Sequence, residues 1–528
     1  MGCATSFLTY LVEYFPAHMT LRLEVNHPLY ALAWWGAGEL LFRVTRLMAG
    51  GQPALRPREA GGWLGGVLAV GLLPAVMLTT KHDSFIVADH FVWQLHIHYI
   101  AEFLSLAAIP FSFGAVINCL PLILFVPVLY FIGQPTIPRG WKAQLVLALG
   151  PAVLFSAMAA QQVRWWGMFD GILFALLAVL FALLDRLPAR RLATGFWFVG
   201  CALVFLPGAL AAAHAIRHSA DLTDDDVQAL AERDLAHWLR LRMGRDPAVV
   251  LSSPVTATRL IYDGGLSGLG TLYWENRDGL EHTAEIFAAT SLDQAHELAR
   301  RYGVTHIVLL SWSQFAENYV RLYRGLTPGQ PLPENVFISG LLHGGRLPPW
   351  LRPVPYRLPE IAALKGQTVL VYEVVPDQSP GAFAVHLANY LVEMERLEDA
   401  TRLAPALEHY PESLPALTML AYLQGKSGNA DRFSTTLQRI IAILPQAHDL
   451  ELEDRIRLAF VLAAGERLEL AEEQVRQCLT ELDDRRLRRL TSGTLRDFLA
   501  LTEKLGMKIA DPQLRALALE LLPPVMRG

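Results

Sequence analysis

Residues 81–103 read KHDSFIVADHFVWQLHIHYIAEF, and this stretch decides how the chain is laid out. It holds four histidines (His82, His90, His96 and His98) together with Asp83, Asp89 and Glu102. Long apolar runs flank it on both sides, which places it at a membrane face. Ionisable groups this dense beside a bilayer are costly unless they are solvated, paired or used. The surrounding apolar runs are each near the roughly 20 residues that a bilayer requires. They predict six membrane-spanning helices, near 29–48, 62–80, 104–132, 143–161, 167–185 and 194–215. The third carries Pro110, Pro121 and Pro127, so a kinked or broken helix is expected there. Residues 1–28 are aromatic and amphipathic and read as an interfacial or re-entrant segment.

Composition agrees with a membrane protein. The 528 residues are 53% hydrophobic with mean hydropathy +0.30, and the excess sits in the first 216. A net charge of −5 gives no general affinity for nucleic acid. The cysteines Cys3, Cys119, Cys201 and Cys478 leave only one in the long polar half, so no disulfide framework is expected there. No basic segment followed by a clean apolar core opens the chain, so no cleavable signal peptide is expected.

Positive charge sets the orientation. One set of short loops carries Arg43, Arg46, Arg56, Arg58, Arg139, Lys142, Arg186, Arg190 and Arg191, and the other only Arg22, Lys81 and Arg164. The first set belongs in the cytoplasm. The 81–103 loop, Arg164 and residues 217–528 then lie outside an inner (plasma) membrane. Glu39, with Arg43 four residues on, reads as an intrahelical pair.

Beyond the membrane region, residues 217–246 read as a helix capped near Leu222-Thr223-Asp224. Residues 217–378 read as an α/β domain. AVVLSS (248–253), THIVLLS (305–311) and TVLVYEV (368–374) are its strands, and SLDQAHELARRYG (291–303) is a helix with a Ser291 cap and a Gly303 stop. YDGGLSGLGTLYW (262–274) reads as a loop without phosphate-binding spacing, and 330–360 as Pro-rich and irregular. From 382 to 528 the pattern is wholly helical. Pro411 and Pro445 stand 34 residues apart, each between two helices, which suggests tetratricopeptide-like repeats and a protein partner. An ordinary helical bundle is the alternative.

Candidate chemistry gathers at the outer face. Glu102, at the lip of a span, suits a divalent metal (Mn²⁺ or Mg²⁺) or a substrate, or is simply solvated. His96 and His98 alternate, so on a strand they share one face, with Asp89 and His90 just before them. Arg164, in the short loop QQVRWW (161–166), suits a lipid-linked phosphate or a headgroup anchor. Asp170, one turn inside the fifth span, can bond to Arg164 or line a cavity.

These features, in this order, resemble the second half of a GT-C glycosyltransferase, nearest to the catalytic subunits of oligosaccharyltransferases. In that family an outer loop ends in a T/S-x-x-E motif, and Tyr99-Ile100-Ala101-Glu102 is similar, keeping Ile and Glu without the leading hydroxyl. Four spans follow before an extracytoplasmic domain, and Arg164 matches the family's pyrophosphate-contacting arginine in position. NRDGLEHTAEIFAATSLDQAHELARRYGVTHIVLL (276–310) looks like the family's helix leading into a "yGVdyVlv" strand.

The resemblance covers roughly 1–375. It implies sugar transfer from a polyprenyl-phosphate or -pyrophosphate carrier in the membrane to an extracytoplasmic acceptor. Glu102 and Asp89 are the implied catalytic carboxylates, with Glu102 on the metal. Arg164, His96 and His98 are the implied donor-phosphate contacts, with Asp170 and His90 as further candidates. Where the family's sequon-reading WWDYG should fall, this chain has LSSPVTATRLIY (251–262), so protein N-glycosylation is not the expected activity. The family's first half, with its catalytic aspartate, has no counterpart in these residues. The chain then reads as a fragment, as one half of a split enzyme with a separately encoded chain as partner, or as a degenerate relative, and a non-catalytic membrane scaffold is the competing expectation. The expected fold is an α-helical polytopic membrane domain of about six transmembrane helices, then an extracytoplasmic α/β domain and an all-α, TPR-like helical-repeat domain.

Overall fold

The structure, a computed structural model, describes residues 2–13, 28–48, 57–80, 91–92, 94–95, 104–108, 119–186, 190–217, 222–273, 276–313, 315–327, 329–343, 345, 347–446 and 449–523. The chain forms two compact units, Met1–Asp221 and Leu222–Gly528.

The regular elements among the described residues of the first unit are helices. Helix α1 is Gly2–Glu13, α2 Pro28–Met48 and α3 Pro57–Thr80. Two small-residue positions let α2 and α3 approach closely. A Cβ on Gly36 would stand 2.7 Å from Ala69 Cβ and 2.8 Å from the Gly66 carbonyl, so only hydrogen fits. Arg43 Nε bonds Glu39 Oε1 at 2.8 Å, the expected intrahelical pair. Within the third predicted span, residues 109–118 with Pro110 lie outside the described residues. A 3₁₀ turn at Leu106–Ala108 and another at Leu120–Leu124 precede α4 (Phe125–Gly133), and Pro121 opens the second turn.

Three helices are long and apolar enough to cross a membrane: Arg139–Gln161 (α5), Val163–Leu184 (a 3₁₀ turn and then α6, Trp166–Leu184) and Ala193–Arg217, the greater part of α7 (Arg190–Arg217). They match the last three predicted spans to within a few residues. The buried residues of α6, including Phe169, Leu173, Leu177 and Leu180, form the core of this unit. Helix α2 has the length to span, but Glu39, Arg43 and Arg46 make it more polar than these three.

The second unit begins with α8 (Asp224–Met243), started by a capping box between Thr223 and Asp226. A mixed five-stranded sheet follows in the order β2-β1-β3-β5-β4. Its strands are β1 Val249–Leu251, β2 Ser267–Gly268, β3 His306–Leu310, β4 Leu351–Val354 and β5 Val369–Val374. β1 runs parallel to β2 and β3, while β5 is antiparallel to β3 and β4. Central β3 is buried along its whole length. Side chains alternate faces along a strand, so it feeds two cores. Ile307 and Leu309 join one with Leu251, Phe287 and Leu351, while Val308 and Leu310 join Leu235, Leu239 and Val371 under α8. The first face is covered by α10 to α13 (Arg277–Phe287, Leu292–Arg301, Phe315–Tyr323 and Phe337–Leu342), while α9 (Pro254–Gly264) packs with α8 on the second through Leu260. Ser291 caps Leu292–Arg301 through Gln294 N at 3.1 Å, and Gly303 follows at φ +67°.

Two stretches differ from expectation. The 262–274 loop contains β2, a two-residue edge strand too short to leave a pattern. The Pro-rich 330–360 region contains α13 and β4. Pro353 sits in β4 without cost because β4 is the other edge, where a missing N–H breaks no ladder.

The remainder is helical, from α14 (Pro380–Glu393) onward. Then come α15 (Leu397–Thr401), α16 (Ala404–Glu408), α17 (Leu414–Lys426), α18 (Ala430–Ile443), α19 (Leu452–Ala464) and α20 (Leu468–Glu481). The chain closes with α21 (Asp484–Arg489), α22 (Ser492–Lys504) and α23 (Pro512–Leu521). The first helices of successive pairs begin at Pro380, Leu414 and Leu452, so the 34-residue spacing holds once and lengthens in the third pair. Each first helix ends the same way. Glu395, Gly428 and Glu466 have φ of 59°, 73° and 61°, and each stands two residues before the next helix. The following amide bonds back to the helix in all three: Arg396 to Leu391 O, Asn429 to Gln424 O and Arg467 to Leu462 O, at 2.8 to 2.9 Å. This is one left-handed helix stop repeated three times.

Candidate functional site

The turn between α5 and α6 is built by Gln162. Its extended backbone ends α5, and Val163–Trp165 form a single 3₁₀ turn before α6 starts at Trp166. Trp165 Nε1 donates to Gln162 Oε1 at 3.2 Å and fixes the indole. Edge-on ring contacts of Trp165 with Phe155 (6.2 Å) and Trp166 with Phe169 (5.5 Å) continue this into an aromatic layer. Aromatic side chains of this kind suit the level where a bilayer meets water. The amide of Val163 donates to Leu104 O at 3.1 Å, tying the turn to the segment two residues after Glu102 in sequence.

Arg164 is exposed at the tip of this turn, with its guanidinium 4.9 Å from the Trp165 ring centroid. An arginine stacked on an aromatic face has its guanidinium plane oriented, and the forked N–H groups suit paired oxygens. Asp170 lies four residues into α6 and is half-buried. Its Oδ1 is buried without a hydrogen-bond partner, and no ion pair joins it to Arg164 among the described residues. Of the two alternatives for Asp170, a bond to Arg164 or a place lining a cavity, the first is not formed among the described residues. A buried carboxylate oxygen without a partner in an apolar helix is expensive unless a ligand, a cation or a proton meets it.

The other sequence-derived candidates, Asp89, His90, His96, His98 and Glu102, lie outside the described residues. Residues 91–92 and 94–95 between them are helical, with Val92 and Leu95 buried. Among the described residues no three His, Cys, Asp or Glu side chains gather as a metal site.

Two basic runs escaped the sequence reading: LRLRMGRD (239–246) and DDRRLRRL (483–490). The fold brings them together across the junction of the sheet with the helical region. Arg242 Nη1 donates to Arg488 O at 3.4 Å, and Arg488 Nη1 donates in return to Leu241 O. Arg485 Nε bonds Asp246 Oδ2 at 2.9 Å. Each run has a helix-surface pattern, and no sequence signal links residues more than 230 apart.

No protein-family model matches the chain, and no curated protein matches it by sequence.

Proposed function

We propose that this chain works at the outer face of an inner (plasma) membrane as the donor-binding part of a GT-C-like glycosyltransferase. The substrate class is a sugar carried on polyprenyl phosphate or pyrophosphate, and the acceptor is extracytoplasmic. One observation carries the reading. A guanidinium stacked on an indole sits at the tip of a short turn between two membrane-length helices, with an orphaned carboxylate one helical turn beneath it.

Arg164 binds the carrier's phosphate oxygens through paired N–H groups and stabilises the negative charge that grows as the sugar leaves. Trp165 and Trp166 hold that group at the lipid headgroup level. Asp170 takes a hydroxyl donor or proton from the bound donor. Glu102 is assigned to Mn²⁺ or Mg²⁺ or to the acceptor and Asp89 to catalysis, with His96 and His98 as secondary metal ligands or donor contacts and His90 as a further candidate. The described residues do not by themselves form a metal site, so no step is routed through the ion. A separately encoded partner chain supplies the catalytic aspartate that the resemblance calls for.

The repeated helix stops at Glu395, Gly428 and Glu466 favour a second role, recruitment of a protein partner by the TPR-like pairs outside the membrane.

The test is binding of a polyprenyl-phosphate analogue to the detergent-solubilised chain, with and without Mn²⁺. Arg164→Ala should weaken binding at least about tenfold, the loss of one charge-assisted contact. Asp170→Asn should weaken it less. Binding that is indifferent to Arg164→Ala removes the donor-site assignment and leaves the scaffold role.

A further inference from the structure

The second unit holds a cavity of about 710 Å³, in the size range of small-molecule sites. It lies at one end of the sheet, on the face covered by α8. Its floor is the cross-strand pair His306 and Glu373, with Arg352 beside them on β4. The end of α8 and the residues up to Asp246 form one wall, and α21 the other.

The charge in it is unbalanced. Three of its arginines are neutralised: Arg352 by Glu373 at 3.3 Å, Arg485 by Asp246 at 2.9 Å and Arg488 by Asp484 at 2.8 Å. Four are not: Arg240, Arg242, Arg245 and Arg489 form no ion pair among the described residues. Arg242 is 9% exposed, and its Nε and Nη2 are buried with no hydrogen-bond partner. Burial pulls its guanidinium down to about 10, which still leaves it charged at neutral pH. A buried cation with orphaned N–H groups is costly unless an acceptor arrives.

The C-terminal carbonyls of α8 would repel an anion, but donors cover two of them. Gly244 N bonds Arg240 O at 2.9 Å, and Arg488 reaches Leu241 O. Gly244 makes that crossing possible. Its φ is +57°, and a Cβ there would stand 2.9 Å from Arg488 Cδ.

We propose that this cleft binds a diphosphate group through Arg242, Arg245 and Arg489. A diphosphate matches four unneutralised guanidinium groups in charge, and its oxygens accept the forked N–H pairs that arginine presents. The group belongs either to a soluble phosphorylated metabolite or to the headgroup of a polyprenyl lipid. The cleft is built wholly from residues of the second unit and does not depend on the function proposed for the Arg164 turn.

Titration calorimetry on the detergent-solubilised full chain tests this, using inorganic diphosphate in one arm and a short-chain polyprenyl diphosphate in the other. Both arms are repeated in the Arg164→Ala background, so the membrane turn contributes nothing. One diphosphate per chain is expected, weakening as salt rises from about 50 to 300 mM. Arg245→Gln and Arg489→Gln replace exposed side chains without ion-pair partners, so the fold should tolerate both. Each should weaken binding about tenfold, and the pair together more. Arg476→Gln, on an exposed helix face elsewhere, should change nothing. Equal affinity in the two arms assigns the site to a soluble ligand, and tighter binding of the lipid form assigns it to a headgroup. No binding in either arm, or binding that survives the double variant, overturns the proposal.

Discussion

Glu453→Ala should be among the most destabilising single changes in the second unit. Glu453 and Arg457 are each 7% exposed on α19, and two uncharged side chains link them. Glu453 Oε1 accepts from Asn389 Nδ2 at 2.8 Å and from Thr494 Oγ1 at 3.2 Å. Arg457 Nη2 donates to Asn389 Oδ1 and, at 3.2 Å, to Thr494 Oγ1. The network thus pins α14, α19 and α22 together. Burial alone would raise the Glu453 carboxyl, but Arg352, Arg457 and His386 outweigh it and hold the carboxyl below its ordinary 4.5.

Removing the carboxylate strands Arg457 in the interior and orphans the Asn389 amide. Breaking one side of a buried charge pair costs about 3–5 kcal/mol. At about 2–4 °C per kcal/mol for a unit of this size, the melting temperature should fall by roughly 10 °C. The assay is a double-mutant cycle followed by thermal and denaturant unfolding: Glu453→Leu, Arg457→Met and both together. The double variant should recover part of the loss, because apolar side chains then replace both charges while Asn389 and Thr494 still lack these partners. The sign of the pH dependence follows from the depressed carboxyl. Its stabilisation is complete above pH 4.5 and is lost as pH falls through the folded value. A single-variant cost under about 1 kcal/mol, or an additive cycle, would refute the reasoning.

Two further outcomes are expected. Glu466 occupies a left-handed stop where Gly428 sits in the equivalent turn, so Glu466→Gly should stabilise by about 0.5–1 kcal/mol in denaturant titration. Glu395→Gly should gain less, since it also loses the 2.7 Å pair with Arg357, and no gain at Glu466 would contradict the turn geometry. Burial pushes the Asp454 carboxyl up to about 7 from 3.8, against the pull of Arg457. The folded chain therefore holds a proton that the unfolded chain releases, so this contribution falls as pH rises from 3.8 to about 7 and is flat above. Asp454→Asn should gain on the wild type between pH 5 and pH 8, and an unchanged difference would remove Asp454 as the titrating group.

Much of the local structure was legible because its causes are local. Apolar runs of sufficient length placed the α5, α6 and α7 spans, since a bilayer reads little else. Thr223, Ser291 and Gly303 set helix ends through bonds within three or four residues. Buried β3 announced itself as HIVLL. Edge strands β2 and β4 did not, one being two residues long and the other carrying Pro353.

The sites divide in the same way. Arg164 stood out in sequence as an arginine between glutamines and tryptophans, in the set of short loops poor in positive charge. That Asp170 Oδ1 is buried without a hydrogen-bond partner is a matter of rotamers and neighbours, which no run of letters encodes. The arginine cleft is the extreme case. LRLRMGRD and DDRRLRRL each look like the solvated face of a helix, and separately they would be. Only the docking of α21 against the end of α8 buries Arg242, cancels three guanidinium charges and leaves four. Sequence fixes which charges a chain carries and where its helices start and stop. Which charges end up desolvated and unpaired depends on long-range packing, because the energy of a charge is set by its surroundings in space rather than along the chain.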